Sequence, residues 1–179
     1  MNNSIAVIMT VHNRRNTTVE CIRRFYACKG LDQYEVEFYM MDDGCADGTA
    51  EAVRAKYPQV IILQGDGNLF WNRGMYYCWK EAVKKHHDYY LWLNDDTMLF
   101  ENALEIIFSD YTKAGKLSII SGCCCDTATR TKTTYGGRDD NDKLISMNGK
   151  LQLTVAMNGN VVAECSHSRV IIRPAPLTK

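Results

Sequence analysis

Apolar residues in this chain fall into short continuous runs, separated by stretches where they recur every three or four positions. Ile5-Ala6-Val7-Ile8-Met9 is the first run, inside a strand expected over Ser4 to Thr10. Runs of that length bounded by polar residues read as strands buried on both faces. Val36 to Met41, Val60 to Leu63, Tyr89 to Leu93 and Leu117 to Ser121 repeat the pattern. Helical periods lie between them. Val19, Ile22 and Phe25 or Tyr26 follow Thr17 and Glu20, which stand at capping-box spacing. Asp47-Gly48-Thr49 opens a second helix that runs through Tyr57 and is closed by Pro58. Met75, Cys78, Trp79, Ala82 and Val83 make the stripe of a third, and Leu104, Ile107, Phe108 and Tyr111 mark a fourth. Strands alternating with helices predict an α/β fold built from parallel βαβ units with right-handed crossovers.

The pattern changes after Cys125. Thr127 to Thr134 is polar and leads through Tyr135-Gly136-Gly137-Arg138 to the acidic stretch Asp139-Asp140-Asn141-Asp142. Met147-Asn148-Gly149-Lys150 carries the Asn-Gly signal of a tight hairpin. Short strands are expected here rather than another βα unit. With no repeat, low-complexity tract or linker, residues 1–179 are expected to form one domain. Its first part, 1–125, holds the βα units, and 126–179 is strand-rich.

Composition narrows the function classes. At 179 residues and 46% hydrophobic, the chain is long enough for a real core. Lys plus Arg equals Asp plus Glu at 21 each, so no overall field points to nucleic acid. No run approaches the roughly 18 apolar residues of a membrane span, and Met1-Asn2-Asn3-Ser4 lacks the start of a signal peptide. The eight cysteines do not show zinc spacing, since Cys123-Cys124-Cys125 are consecutive. Reduced core thiols in a reducing compartment are expected.

Candidate chemistry gathers at strand ends. Thr10-Val11-His12-Asn13-Arg14, Asp42-Asp43-Gly44, Gly65-Asp66-Gly67-Asn68 and Asn94-Asp95-Asp96 each follow an apolar strand. The carboxyl ends of parallel strands share one edge, where open α/β sheets bind ligands. Asp95 and Asp96 suit a divalent cation, because Mg²⁺ takes one or two carboxylates and completes its shell with water and phosphate oxygens. The competing reading is an acidic turn in which Asp96 caps the next helix. Neither a Gly-x-Gly-x-x-Gly after the first strand nor a phosphate-loop Gly-x-x-x-x-Gly-Lys occurs, which disfavours a dinucleotide oxidoreductase or a P-loop nucleotidase. His12 reads as a structural hydrogen-bonding residue, and His86-His87 as cations at a helix end.

Together these motifs resemble the family-two glycosyltransferases of the GT-A fold, close to a bacterial rhamnosyltransferase-like branch. The matching pieces are Val7 to Arg14, Met41 to Thr49, Gly67-Asn68-Leu69-Phe70-Trp71-Asn72-Arg73-Gly74-Met75 and Leu93-Asn94-Asp95-Asp96-Thr97. The resemblance implies a mostly parallel central sheet flanked by helices, and transfer of a sugar from a nucleotide diphosphate donor, with inversion. It places Thr10, His12 and Arg14 at the nucleotide and Asp42 at the nucleobase, with Asp43 as understudy or turn residue. Asn68 and Arg73 would face the nucleotide, and Arg73 would neutralise diphosphate charge. Asp96 becomes the first choice of ligand for Mg²⁺ or Mn²⁺. Asp95 also serves the metal, and Asn94 and Asp95 would assist through ribose hydroxyls or metal-bound water. The implied partners are a nucleotide sugar, such as dTDP-rhamnose or a UDP-sugar, and a saccharide or lipid-linked acceptor. The implied location is cytoplasmic, peripheral at the inner face of the membrane.

An inverting transfer needs a base for the acceptor hydroxyl. The family's acidic base motif is not found here, and the motif resemblance stops after about Ala163. The candidates left are Asp139, Asp140, Asp142 and Glu164, with a solvated acidic loop as the plainer account of the first three. A truncated or frame-disrupted catalytic domain retaining mainly the donor half is the expectation. The alternatives are a non-catalytic nucleotide-sugar-binding protein and a sugar nucleotidyltransferase. The latter is disfavoured by the first loop, Thr10 to Arg14, which has no Gly.

Overall fold

The computed structural model describes residues 3–114, 120–125, 133–135, 161–164 and 170–174. Strand β1 (Asn3–Val11) is the centre of the molecule, with Ile5 to Met9 fully buried. It pairs in parallel with β2 (Tyr34–Asp42) on one side and β4 (Tyr89–Leu93) on the other, and β2 pairs in parallel with β3 (Ile61–Gln64). The continuous apolar runs follow from this position, since both faces of these strands are covered.

Alternation along β1 sorts its side chains between two layers. Ile5, Val7 and Met9 join Phe38 and Met40 against α1 (Arg15–Tyr26), α2 (Thr49–Lys56) and α4 (Ala103–Ala114), through Ile22, Val53 and Ile107 among others. Ala6 and Ile8 join Tyr39, Met41 and Tyr90 against α3 (Phe70–Ala82), which supplies Met75, Cys78 and Ala82. The stripe read from the third helix is therefore its core face. Cys21, Cys28, Cys45 and Cys78 are free thiols, and all but Cys45 are buried. Burial pushes the Cys28 thiol up to about 11 and Cys78 to about 12.

Two expectations about local structure are corrected. Helix α1 begins at Arg15 with Arg14 as its cap residue and no side-chain cap bond, so Thr17 and Glu20 form no capping box. The first N–H of the helix, that of Arg15, is instead satisfied by the carboxylate of Asp47 at 2.9 Å, which arrives from the loop before α2. Glu20 is taken by its own helix. Hydrogen bonds from Arg23 and then Arg24 hold its carboxyl down at about 2. Asp96 does not cap a helix either: β5 (Met98–Leu99) follows it, and α4 starts only at Ala103.

Two described strands of the last third join the central sheet. β6 (Ile120–Ser121) is the end of the parallel strand expected over Leu117 to Ser121, of which residues 117–119 lie outside the described set. It does not adjoin β4. Strand β10 (Val170–Pro174) lies between them, antiparallel to both, giving the order β3-β2-β1-β4-β10-β6. A second sheet, in the order β5-β9-β7-β8, joins Met98–Leu99 to β9 (Val161–Glu164), β7 (Cys123–Cys125) and β8 (Thr133–Tyr135). The hairpin signal at Met147 to Lys150 lies outside the described residues.

Candidate active site

The ends of β1, β2, β3 and β4 open onto one edge, and Asp43 ties three of their loops together. Its backbone N–H donates to the Val11 carbonyl at 3.0 Å. Its buried carboxylate accepts the N–H groups of Gly67 (2.9 Å), Leu69 (3.0 Å) and Phe70 (2.9 Å). An ionised carboxylate meeting several backbone donors makes strong hydrogen bonds, and these fix the loop that launches α3. The Asp43 carbonyl in turn lies 2.6 Å from His12 Nδ1. A carbonyl can only accept, so that nitrogen carries the proton, and Nε2 accepts from Asn13 Nδ2 at 3.2 Å. His12 is thus a structural link between the first and second loops.

Asn13 makes the other stitch. With φ of +50° it turns its backbone N–H to Cys45 Sγ at 3.2 Å, while its side-chain oxygen accepts the Ala46 N–H at 2.7 Å. Close backbone approach demands glycine twice. A side chain on Gly44 (φ +69°) would meet Gly67 Cα at 2.8 Å, and one on Gly74 would meet the Thr10 hydroxyl at 2.6 Å. Helix α3 can therefore lie directly against the end of β1.

These contacts enclose an open cleft of about 430 Å³, into which Thr10, His12, Arg14, Asp43, Asn94, Asp95 and Asp96 all come together. Asp42, Asn68 and Arg73 do not line it. The Asp42 carboxylate is buried and accepts the Cys45 N–H at 2.8 Å. Arg73 bonds back to the Asn68 carbonyl at the head of its own helix, so its guanidinium closes a loop. Of the neighbouring pair Asp42-Asp43, it is Asp43 that lines the cleft.

The acidic corner has its own electrostatics. Asp95 is 6% exposed, and burial, with Asp96 adding repulsion, pushes its carboxyl up to about 6 against the opposing pull of Arg14. Arg14 Nη1 reaches Asp95 Oδ1 at 3.3 Å and Asp96 Oδ2 at 3.1 Å. Asp95 and Asp96 are the residues that could hold a hard cation, offering oxygen donors alone. Among the described residues no group of three or more potential ligands assembles. The donor set therefore fits an ion that completes its shell from phosphate oxygens and water, as Mg²⁺ commonly does.

Phe70 and Trp71 also line the cleft and were not singled out from the sequence. Trp71 Nε1 donates to Asn94 Oδ1 at 2.7 Å. Two large aromatics in an otherwise polar loop, just ahead of the helical stripe, were the available signal. Of the base candidates, Asp139, Asp140 and Asp142 lie outside the described residues. The backbone of Glu164 is in β9, in register opposite Met98.

A parallel β1–β4 layer with helices on both faces and a polar cleft at its carboxyl edge defines an α/β protein of the GT-A type. The chain belongs to glycosyl transferase family 2, whose family model matches residues 6–175. That match runs past Ala163 and takes in β10. TarS 1–349 from S. aureus in complex with UDP-GlcNAc is 15% identical, with a TM-score of 0.60, and the alignment covers 71% of this chain and 36% of that one. The mannosyltransferase PcManGT from Pyrobaculum calidifontis, in complex with GDP-Man and Mn²⁺, is 17% identical, with a TM-score of 0.51 and coverage of 68% and 35%. At such identities the likeness is one of fold. This chain spans little more than a third of the length of either structure. No curated protein sequence matches it.

Proposed function

We propose that this chain binds a nucleotide diphosphate sugar in the cleft and transfers its sugar to an acceptor hydroxyl with inversion. The observation that carries the reading is the convergence of Thr10, Arg14, Asp43, Asn94, Asp95 and Asp96 on one cleft, with the acid pair at the end of β4. Family membership supports the reaction class. The Mn²⁺ of one related structure and the nucleotide sugars of both support the ligand class.

Asp96, the more accessible acid, is the proposed principal ligand for Mg²⁺ or Mn²⁺, with Asp95 behind it. When bound, such an ion stabilises charge on the departing diphosphate as a Lewis acid. Arg14 stands close enough to turn from the carboxylates to a phosphate oxygen and add a second positive charge. Thr10 has a buried hydroxyl without a hydrogen-bond partner at the floor of the cleft, suited to a ligand oxygen. In the transfer, the acceptor oxygen bonds to the anomeric carbon as the bond to the outer phosphate oxygen breaks. The acceptor proton passes to a base, for which Glu164 is proposed because β9 runs beside β5, directly after the acid pair.

Isothermal titration of UDP, GDP and dTDP sugars with and without Mn²⁺ tests the donor reading. Saturable, Mn²⁺-dependent binding of one of them is expected, and no binding to any would sink it. Release of nucleoside diphosphate during incubation separates a transferase from a silent binding module. No helix among the described residues is long and apolar enough to cross a membrane.

A further inference from the structure

Phe70 and Trp71 stand apart from the other aromatic residues at the sheet edge. Phe70 is 73% exposed, and its backbone φ of +54° lies in the left-handed region, an outlier for a bulky side chain. That conformation is imposed from outside, because Asp43 holds the Phe70 N–H at 2.9 Å and the Leu69 N–H at 3.0 Å. Strained residues locked by their surroundings concentrate at ligand sites. Trp71 is 47% exposed and packs edge-on against Trp92, with ring centroids 6.1 Å apart. Its one N–H is consumed by Asn94 Oδ1. Both rings line the cleft. What they offer to its interior is therefore apolar ring surface, with no hydrogen-bonding group left over.

The hydrogen bond to Asn94 also fixes where along the cleft the indole lies. Asn94 immediately precedes Asp95 and Asp96, so Trp71 is anchored at the acidic end. In the donor reading, on which this inference rests, that end receives the diphosphate. The sugar hangs from the outer phosphate, and the nucleoside extends the other way. We propose that Phe70 and Trp71 form a platform for the C–H face of the donor sugar, with Trp71 as its principal ring. The platform selects for a sugar with an apolar ring face and does not read the nucleobase.

The test compares each nucleotide sugar with its own nucleoside diphosphate in the presence of Mn²⁺. UDP-GlcNAc against UDP, GDP-mannose against GDP and dTDP-rhamnose against dTDP are titrated into the full chain by calorimetry. For the pair that wild type binds, Trp71→Ala is expected to weaken the nucleotide sugar about tenfold, the scale of one good aromatic contact, and to leave the diphosphate within about twofold. Trp71→Phe keeps a ring while losing the bond to Asn94, and is expected to retain most of the sugar-dependent gain. Thermal melts verify that each variant folds. If Trp71→Ala weakens sugar and diphosphate equally, the ring serves the nucleoside or the loop, and the platform is overturned. Unchanged affinities overturn it too. If Trp71→Ala fails to fold, Trp71→Phe and Phe70→Ser carry the comparison. Loss of part of the sugar-dependent gain in Phe70→Ser, with the diphosphate unaffected, supports the platform, and its full retention in that variant overturns it. Wild type binding neither member of any pair is a separate result, and it overturns the donor reading itself.

Discussion

Arg14 and Asp96 are in direct contact, Nη1 to Oδ2 at 3.1 Å, so the acidic corner carries its own counter-cation. The Arg14 side chain is 53% exposed, and ion pairs of this kind are typically worth at most about 1 kcal/mol. That is small enough for a divalent ion to displace. Arg14→Ala should therefore tighten Mn²⁺ binding alone by about threefold to fivefold at pH 8 while weakening the nucleoside diphosphate. Calorimetry with each ligand separately reads both signs. A loss of Mn²⁺ affinity would show that Arg14 organises the acids instead of competing for them.

Asp95 gives a pH signature. Its folded pKa of about 6 lies above the usual carboxylate value, so between roughly pH 4 and 6 the folded chain holds more protons than the unfolded one. Its contribution to stability accordingly falls as pH rises through that window. Asp95→Asn should raise stability above pH 7 by about 1–3 kcal/mol and lose Mn²⁺ binding. In the wild type, metal affinity should decline by up to about tenfold per unit below pH 6, as the proton competes. Melts and Mn²⁺ titrations at pH 5, 6, 7 and 8 follow the two effects in opposite directions.

Asp43 is expected to matter more for shape than for contact. Asp43→Asn keeps the volume but leaves a single acceptor for the N–H groups of Gly67, Leu69 and Phe70. A cost of about 1–3 kcal/mol follows from buried donors left unmatched. Faster amide exchange at those three positions, with the core strands unaffected, is the measurement.

Gly74→Ala tests the fit of α3 on β1. The added carbon would lie 2.5 Å from Thr10 Cγ2, and overpacking of this kind costs about 1–3 kcal/mol. A lower melting temperature is expected, with partial recovery when Thr10→Ala, which lacks both the methyl and the hydroxyl, is combined with it.

The fold could be read where burial is two-sided. Strands β1 to β4 have apolar runs because helices cover both their faces, and the α3 stripe is visible because only one face of that helix meets the core. The start of α1 was misread because its partner comes from Asp47, distant in sequence, and local spacing carries no trace of that. Within the site, the sequence names the loops that meet at the cleft but not which neighbour of a pair lines it. Asp42 and Asp43 are chemically identical, and only the turn geometry sends one to Cys45 and the other to the α3 loop. Arg73 illustrates the same limit, since a free carbonyl one helical turn away claims it before any ligand. Phe70 and Trp71 are hard to place from sequence, because aromatics near a helix usually signal core.

The insertion of β10 beside β4 has a consequence for biosynthesis. Leu93, at the foot of the acidic corner, pairs with Val170, which is translated long afterwards. While the nascent chain emerges at about 5–20 residues per second, the outer edge of β4 waits bare, several seconds ahead of its neighbour. Bare strand edges recruit foreign strands. Among the described strands, the last to be made is thus the one that shields the β4 edge beside the acidic corner.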